Sequence, residues 1–335
     1  MKFLLLSIWL ILASNTSAQT LPHTFTANSA AKAEEVNENF QFLANQFKVN
    51  KKTIDCSTDN MTKAIEDGYN HLVLNGTCSE NLLITPFVSP TVILGLPYSS
   101  MGFEGNKPVT SLTLEGGTQG VWDNTNNGFQ RSFVFGGLLN IINLTVSQSL
   151  VLHNGGRLLV DNSSLENITS AYGSSAEIAN STVTCTNSNT CIYVSNNGNI
   201  RLDNVTLTNS GDDYTINSNR TSSVEIKNSA INNTNTSSDS KPTIGVNYNS
   251  SMRLEDTDVT SSNNEIFIGF DGFLELKRGS IKRTTGSPTI KISGPGVFYE
   301  YDGTIADITC DGKLAYVDKS SSSTVITNNN NAECQ

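Results

Sequence analysis

Several residue types are scarce in this chain of 335 residues, and their scarcity excludes some classes of function. Charged residues make up 16% of the sequence and the net charge is −10, so a polyanion such as nucleic acid would be repelled. Three histidines and no Cys-x-x-Cys motif leave little with which to build a zinc site. No Gly-rich phosphate loop occurs, and no Gly-x-Ser-x-Gly motif precedes a helix. We therefore expect no nucleic-acid partner, no bound metal and no cofactor.

Long apolar runs are also missing, with one exception at the N-terminus. Residues 3–13 are apolar, Lys2 is their positive flank, and the small residue Ser17 precedes a cleavage point after Ala18. These features are typical of a secretory signal peptide, and the run is too short to span a bilayer comfortably. The sequence predicts a signal peptide over residues 1–18, export to the periplasm or the extracellular space, and a mature protein without a membrane span.

Six cysteines suit an oxidising compartment better than a metal site. Sequence alone leaves every pairing among them open. Proximity along the chain favours three disulfides: Cys56 with Cys78, Cys185 with Cys191, and Cys310 with Cys334.

A short phrase returns throughout residues 139–305. Each copy has an aliphatic or aromatic residue, a polar residue, then Asn or Asp, two small or polar residues, and an aliphatic residue. The copies lie 18 to 28 residues apart, which indicates a repeat architecture. Their third positions are Asn143, Asn162, Asn180, Asn204, Asn228, Asp256, Arg278 and Asp302.

Each copy is too short to bury its own apolar residues, so neighbouring copies must stack. The short, often β-branched apolar segments on either side of a polar bend predict two strands per copy. We therefore predict an all-β fold, a parallel β-solenoid over residues 51–318, followed by a flexible tail over residues 319–335. Asn tolerates the left-handed backbone of a bend and can bond to the Asn of the next coil. Arg278 lacks that amide, so we expect the Asn ladder to break there.

Residues 19–50 are predicted to form a helical N-terminal segment. Asn28 or Ser29 can cap a helix that runs to about Phe47. Its apolar residues recur at alternating spacings of three and four, which is typical of a short coiled-coil stripe. The stripe over residues 30–47 either joins copies of the chain or docks on the chain's own solenoid. In both cases, deleting residues 19–50 should leave a folded solenoid. The stripe consists of Ala33, Val36, Phe40, Leu43 and Phe47.

Two segments resemble known families. Residues 21–40, which begin Leu-Pro-His-Thr-Phe-Thr-Ala and end Val-Asn-Glu-Asn-Phe, resemble a leader-proximal segment of many exported proteobacterial proteins. Residues 53–96, with Thr53-Ile54-Asp55-Cys56 and then Leu-Val-Leu-Asn-Gly-Thr-Cys over residues 72–78, resemble the opening of bacterial right-handed parallel β-helix proteins. That superfamily includes pectate lyases and polygalacturonases. The resemblance implies a right-handed helix of coils and a small capping helix whose Met61, Ala64 and Ile65 face the core.

One segment points to catalysis. Gly211-Asp212-Asp213, followed by an apolar strand, resembles the polygalacturonase segment in which paired carboxylates act as acid and base. The resemblance implies Asp212 and Asp213 as the catalytic pair. The chain departs from that family, because residues 187–191 offer no carboxylate and no His follows His153. An ordinary Asn/Asp-rich turn is the alternative.

Other surfaces suggest binding. Trp122 and Phe129, in an aromatic loop over residues 97–137, could stack on sugar rings or pack on their own coil. Asp203 and Glu225 lie on neighbouring coils and could supply two of the carboxylates that a calcium-dependent lyase needs. The alternative is that both are solvated strand positions. Threonines repeated on two coils, at 182 and 206, are a short version of an ice-binding array.

These observations leave open whether the protein is an enzyme. The first hypothesis is a secreted, non-catalytic β-helix protein that binds a glycan or another cell-surface partner along one face. The alternative is a polysaccharide-cleaving hydrolase, less readily a lyase, that uses Asp212 and Asp213. Ice binding ranks last.

Overall fold

The fold is known from a computed structural model. The predicted signal peptide, Phe129 and Cys334 lie outside the residues that it describes. The described residues are 23–24, 32–46, 49–80, 82–84, 92–93, 96–97, 111–117, 121–122, 131–186, 190–236, 241–262, 266–284, 290–293, 295–305, 307–311, 316–319 and 325–329.

The prediction of a parallel β-solenoid is confirmed, and the solenoid has about eight turns. A regular coil consists of an A strand, a bend, a short B strand, and a C strand that leads to the next coil. The A and B strands pair in parallel with their equivalents in a 19-stranded sheet, and the C strands form an 11-stranded sheet.

The A strands are β1 (Lys51–Asp55), β2 (His71–Asn75), β7 (Ser111–Gly116), β10 (Leu138–Ile142), β13 (Arg157–Asp161), β16 (Ser175–Ala179), β19 (Asn199–Asp203), β22 (Ser223–Lys227) and β31 (Tyr316–Lys319). The B strands are β3 (Thr77–Cys78), β8 (Val121–Trp122), β11 (Thr145–Val146), β14 (Ser164–Leu165), β17 (Thr182–Cys185), β20 (Thr206–Asn209) and β23 (Ala230–Asn233). Three strands run on through the bend and serve as A and B strand together: β25 (Ser251–Ser261), β27 (Phe273–Arg283) and β29 (Val297–Ile305).

The C strands complete each coil. They are β4 (Leu83–Ile84), β9 (Arg131–Phe135), β12 (Ser149–His153), β15 (Ile168–Ala171), β18 (Ile192–Ser195), β21 (Ile216–Ser218), β24 (Ile244–Val246), β26 (Ile266–Gly269), β28 (Ile290–Ser293), β30 (Asp307–Asp311) and β32 (Val325–Asn329). A separate antiparallel pair consists of β5 (Val92–Ile93) and β6 (Leu96–Pro97). Because β32 pairs with β30, the solenoid extends into the segment that the sequence assigns to a tail.

The repeated phrase marks the bend between the A and B strands. All eight of its third positions have a left-handed backbone, with φ between +48° and +55°. Asn162 Nδ2 donates to Asn143 Oδ1 at 2.6 Å, and Asn204 Nδ2 donates to Asn180 Oδ1 at 2.9 Å. Side chains on one bend therefore bond to side chains on the bend of the preceding coil, as the repeat predicted.

The predicted break of this ladder at Arg278 is wrong. The Arg278 guanidinium donates from Nε to Asp256 Oδ1 at 2.8 Å and from Nη2 to Asp256 Oδ2 at 2.6 Å. A forked guanidinium can bind both oxygens of a carboxylate one coil away, so an ion pair takes the place of the amide contact.

The core is a narrow stack of aliphatic side chains inside the coils. Successive A strands place a large aliphatic residue at the same inward position, and each of these side chains is buried. One such row is Ile141, Val160, Ile178, Leu202, Ile226, Leu254 and Leu276.

A short helix, α2 (Met61–Glu66), closes the N-terminal end as predicted, with Met61, Ala64 and Ile65 buried. The Asn60 side chain caps it by accepting from Lys63 N. The Glu80 carboxylate accepts from Met61 N at 2.6 Å and from Thr62 N at 2.8 Å. A negative side chain at a helix N-terminus is favourable, so Glu80 fixes the cap to the first coils.

Two of the three predicted disulfides are confirmed. Cys56 and Cys78 have Cα atoms 4.8 Å apart, and Cys185 and Cys191 have Cα atoms 5.7 Å apart, both within the usual range for a disulfide. Cys310 lies in β30, and its predicted partner lies beyond the described residues.

The helix of the N-terminal segment, α1, spans Ala33–Gln46. The predicted capping residues 28 and 29 lie outside the described residues. Asn39 is fixed by His23, whose backbone N donates to Asn39 Oδ1 at 3.0 Å, while Phe40 is 66% exposed. Among the described residues, neither α1 nor α2 is long and apolar enough to cross a membrane.

Helix α1 belongs to a compact unit that ends at Val49, and the solenoid unit begins at Asn50. Asn50 O accepts from Asn70 N and from His71 N, both at 3.1 Å, so Asn50 is part of the first coil.

We therefore expect deletion of residues 19–49 to leave the β-sheet circular dichroism and the thermal midpoint of the solenoid unchanged. A deletion that continues through Asp55 removes β1 and should lower that midpoint. Loss of the β-sheet signal in the shorter deletion would contradict the boundary at Asn50.

Candidate functional site

The corner between each C strand and the following A strand carries one equivalent position per coil, which is exposed or half-buried. Strand register places six residues at this position in successive coils, and each has a left-handed backbone with φ between +49° and +53°. We call this row the aromatic corner. It consists of Asn154, Tyr172, Asn196, Arg220, Tyr248 and Phe270.

The composition of the aromatic corner is unusual for its backbone. Asn is well suited to φ near +50°, but a bulky side chain at this φ costs about 1–2 kcal/mol. Burial does not offset that cost, because Tyr172, Tyr248 and Phe270 are 53%, 50% and 53% exposed. Burial in the core therefore gives no reason for aromatic residues at these three places.

The exposed rings belong to two stacks along the corner. In the first, His153 lies between Phe135 and Tyr172, with ring centroids 5.5 and 4.6 Å away. Burial lowers the pKa of His153, so its imidazole is neutral at physiological pH. In the second, Tyr248 and Phe270 are parallel within 3°, with centroids 4.9 Å apart. We call these stacks the Tyr172 platform and the Tyr248 platform.

Two coils without aromatic corner residues separate the platforms. Their corners carry Asn196, Asn197, Arg220 and Thr221, and the Thr221 hydroxyl donates to Asn197 Oδ1. With Tyr172 and Gly173, these residues line an open cavity of about 560 Å³. Arg220 is exposed and forms no ion pair with any residue that the structure describes. The cavity thus combines a ring face with amide, hydroxyl and guanidinium donors.

Beside the corner, the outward face of the A strands forms a groove of about 480 Å³. Small polar residues line one side of it: Ser175, Asn199, Ser223 and Ser251. Charges of alternating sign line the other side, one per coil: Glu177, Arg201, Glu225, Arg253 and Glu275. Because neighbours in that row have opposite charge, the groove is close to neutral although the chain is acidic.

Glu255 is the centre of an ion-pair network at the edge of this face. Its carboxylate lies 2.7 Å from Lys277 Nζ, 2.9 Å from Arg278 Nη2 and 3.3 Å from Lys227 Nζ, and its side chain is 11% exposed. The hydrogen bond from Lys277, followed by those from Arg278 and Lys227, lowers the pKa of Glu255 from 4.5 to about 2 against the opposing effect of desolvation.

This network predicts a pH dependence of stability. A carboxyl whose pKa is lower in the folded state stabilises the fold above its unfolded pKa and loses that contribution as the pH falls. We expect Glu255→Gln to lower stability at neutral pH and to flatten the decline of stability between pH 4.5 and about 2. Urea unfolding at a series of pH values measures both effects. Glu177→Gln, which removes an exposed carboxylate from the same face, is the control. Parallel curves for parent and Glu255→Gln would contradict the prediction.

Asp212 and Asp213 lie in the loop between β20 and β21. Asp212 Oδ1 accepts from Asn235 Nδ2 at 2.9 Å, and Asp213 Oδ1 accepts from the backbone N of Tyr214 at 2.8 Å. Asn209 holds the same loop by accepting from Gly211 N. No cluster of three or more His, Cys, Asp or Glu side chains able to hold a metal ion occurs among the described residues. These contacts are those of a structured turn.

One of the two predicted sugar-stacking residues is described by the structure, and it is not at the surface. Trp122 is completely buried, and its Nε1 donates to the backbone O of Glu80 at 2.7 Å, so it is a core residue. Phe129 lies outside the described residues.

The residues on which the lyase and ice-binding hypotheses rest lie within the regular contacts of the coils. Asp203 accepts from Asn228 Nδ2 at 2.9 Å as part of the bend ladder, and Glu225 binds Lys227 at 2.9 Å. The Thr rows at 182 and 206 continue as Ala230 in the next coil.

Sequence reasoning missed the aromatic corner. A signal was present, because Tyr172, Tyr248 and Phe270 each precede a turn residue, Gly173, Asn249 or Asp271. Each of the six corner residues also lies eight positions before a third position of the repeated phrase, so aligning the copies of that phrase would have shown the row. Comparison with known proteins adds no further guide: no protein-family model matches the sequence, and neither a curated protein nor a solved structure matches it.

Proposed function

We propose that this protein is an exported, non-catalytic solenoid that binds a glycan along the aromatic corner. The observation that carries the proposal is the presence of Tyr172, Tyr248 and Phe270, exposed, at backbone positions that disfavour them. An exposed ring face can pack on the C–H face of a sugar, and neighbouring polar side chains can bond to its hydroxyls. Asn197, Arg220 and Thr221 lie where such bonds are needed.

Export and the family resemblance support this assignment. The apolar leader over residues 1–18 indicates secretion, and two disulfides suit an oxidising space. The resemblance to parallel β-helix proteins that act on pectic polysaccharides suggests the same ligand class for this chain, as analogy of fold only.

The stripe on α1 suggests that several copies act together. Ala33 and Phe40 are exposed on this helix at coiled-coil spacing, and a second copy of α1 is the partner that we propose for them. Joining several glycan-binding corners would raise the affinity for a polymer that repeats the same unit.

The decisive experiment incubates the mature protein with acidic and neutral polysaccharides. Co-sedimentation measures retention of the protein, and size exclusion measures the length of the glycan. We expect retention without shortening, unchanged in Asp212→Asn/Asp213→Asn and lost in the triple variant Tyr172→Asn/Tyr248→Asn/Phe270→Asn. Tyr301→Asn removes an exposed tyrosine from the A face and is the matched control. Shortening that vanishes in the Asp variant would establish the hydrolase instead, and the absence of retention and of shortening with every glycan would rule out both.

The proposal also predicts how stable the triple variant is toward urea. Because Asn suits φ near +50°, we expect the triple variant to unfold at the same urea concentration as the parent or a higher one. A functional residue that is unfavourable for the fold should show this combination of lost binding and retained stability. A clearly lower unfolding midpoint would assign the three rings a structural role.

A further inference from the structure

We infer that the aromatic corner is a site with two ends, whose ligand is a glycan chain long enough to contact Tyr172 and Tyr248 at once. The inference rests on the proposed function and adds the length and placement of the ligand. It follows from the position of the two platforms along the solenoid.

The separation of the platforms is set by the fold. Tyr172 and Tyr248 lie three coils apart, and parallel strands are about 4.8 Å apart, so the two rings are about 14 Å apart along the solenoid. No monosaccharide spans that distance, whereas a short oligosaccharide does.

The platforms also face each other. Tyr172 packs on His153 of the preceding coil with the two ring planes tilted by 38°, and Tyr248 is stacked on Phe270 of the following coil. Each ring therefore has one face covered by its own stack, and its other face is directed toward the two coils in between. The cavity of about 560 Å³ next to Tyr172 lies on that side.

The coils between the platforms suit the middle of a sugar chain. They present the side chains of Asn196, Asn197, Arg220 and Thr221, which donate or accept hydrogen bonds and contain no aromatic ring. Arg220 has a left-handed backbone, with φ +53°, is exposed, and makes no ion pair among the described residues, so none of those residues competes with ligand oxygens for its guanidinium. Hydroxyl and carboxylate oxygens are both acceptors for it.

A chain held at both ends should bind far more tightly than one held at a single end. Once one platform is occupied, the second contact is intramolecular and benefits from a high effective concentration. We expect affinity to rise by about 100-fold over the step in length at which the chain first reaches both rings. Ligands shorter than that step should bind weakly to either platform alone.

The test is isothermal titration of the full mature protein with length series of cello-oligosaccharides and of oligogalacturonates, from the monosaccharide upward. The proteins are the parent, Tyr172→Asn, Tyr248→Asn, the double variant and the control Tyr301→Asn. We expect a step in affinity with length in the parent and control that either single variant abolishes, with strong coupling in the double-mutant cycle. A step with the cello-oligosaccharides would identify hydroxyl oxygens as the acceptors at Arg220, and a step with the oligogalacturonates alone would identify carboxylate oxygens.

Three other outcomes are distinguishable. If affinity grows smoothly with length and the single variants act additively, glycan binding stands but the two-ended site is wrong. If no oligosaccharide of either series binds while polysaccharides are also not retained, the proposed function itself is wrong. A chain whose affinity does not depend on Tyr172 or Tyr248 would place the glycan elsewhere on the solenoid.

Discussion

Replacing Asn204 by Val should destabilise the solenoid by about 2–4 kcal/mol. Asn204 has φ +55°, where a β-branched residue is strongly disfavoured, and its Nδ2 donates to Asn180 Oδ1 at 2.9 Å. Strain of about 1–3 kcal/mol and one lost hydrogen bond of about 1 kcal/mol together give that range. Because the side chain is exposed, loss of core packing contributes nothing.

The matched variant Asn204→Gly separates the two causes. Glycine accepts the left-handed backbone but cannot make the ladder bond, so we expect a loss of about 1 kcal/mol. Urea unfolding followed by circular dichroism measures both variants against the parent. If Val and Gly cost the same, the left-handed bend is not what Asn204 contributes, and the ladder bond would carry its whole effect.

The bend was predictable from the sequence because its cause is local. A position with a left-handed backbone between two short apolar segments favours Asn, whatever residue lies in the next coil. The repeated Asn therefore indicated the repeated bend. The inward aliphatic rows followed from the same repeat. The order of the coils then required only that neighbours stack.

The errors concern partners that only the coil stack brings together. Arg278 was expected to break the ladder because it has no amide, but its guanidinium pairs with the carboxylate of Asp256 in the preceding coil. Trp122 stands among polar residues in the sequence, but it is buried in the core and its indole N–H reaches Glu80.

The aromatic corner was missed although the repeat contained it. Its residues are separated by the same varying intervals as the bend residues, because the loop between the B and C strands changes in length. Each corner residue lies eight positions before a bend residue, as Arg220 does before Asn228 and Tyr248 before Asp256. The loops of a solenoid can thus vary in length while the row of corner side chains stays continuous. A linear ligand would contact that row.

Replacing Met61 by Gln should have an effect of similar or greater size, about 3–5 kcal/mol. Met61 is completely buried in α2, where it covers the open end of the core, and a glutamine there would lose apolar burial and place an amide among aliphatic side chains. Each coil is stabilised by its neighbours, so a loosened cap exposes the first coil and its unpaired strand edge.

Lys63→Gln introduces the same side chain at an exposed position of the same helix and should change stability little. Hydrogen exchange would show the loss of protection beginning at β1 and β2 in Met61→Gln. Equal unfolding midpoints for the two variants would mean that α2 does not stabilise the solenoid by capping its core.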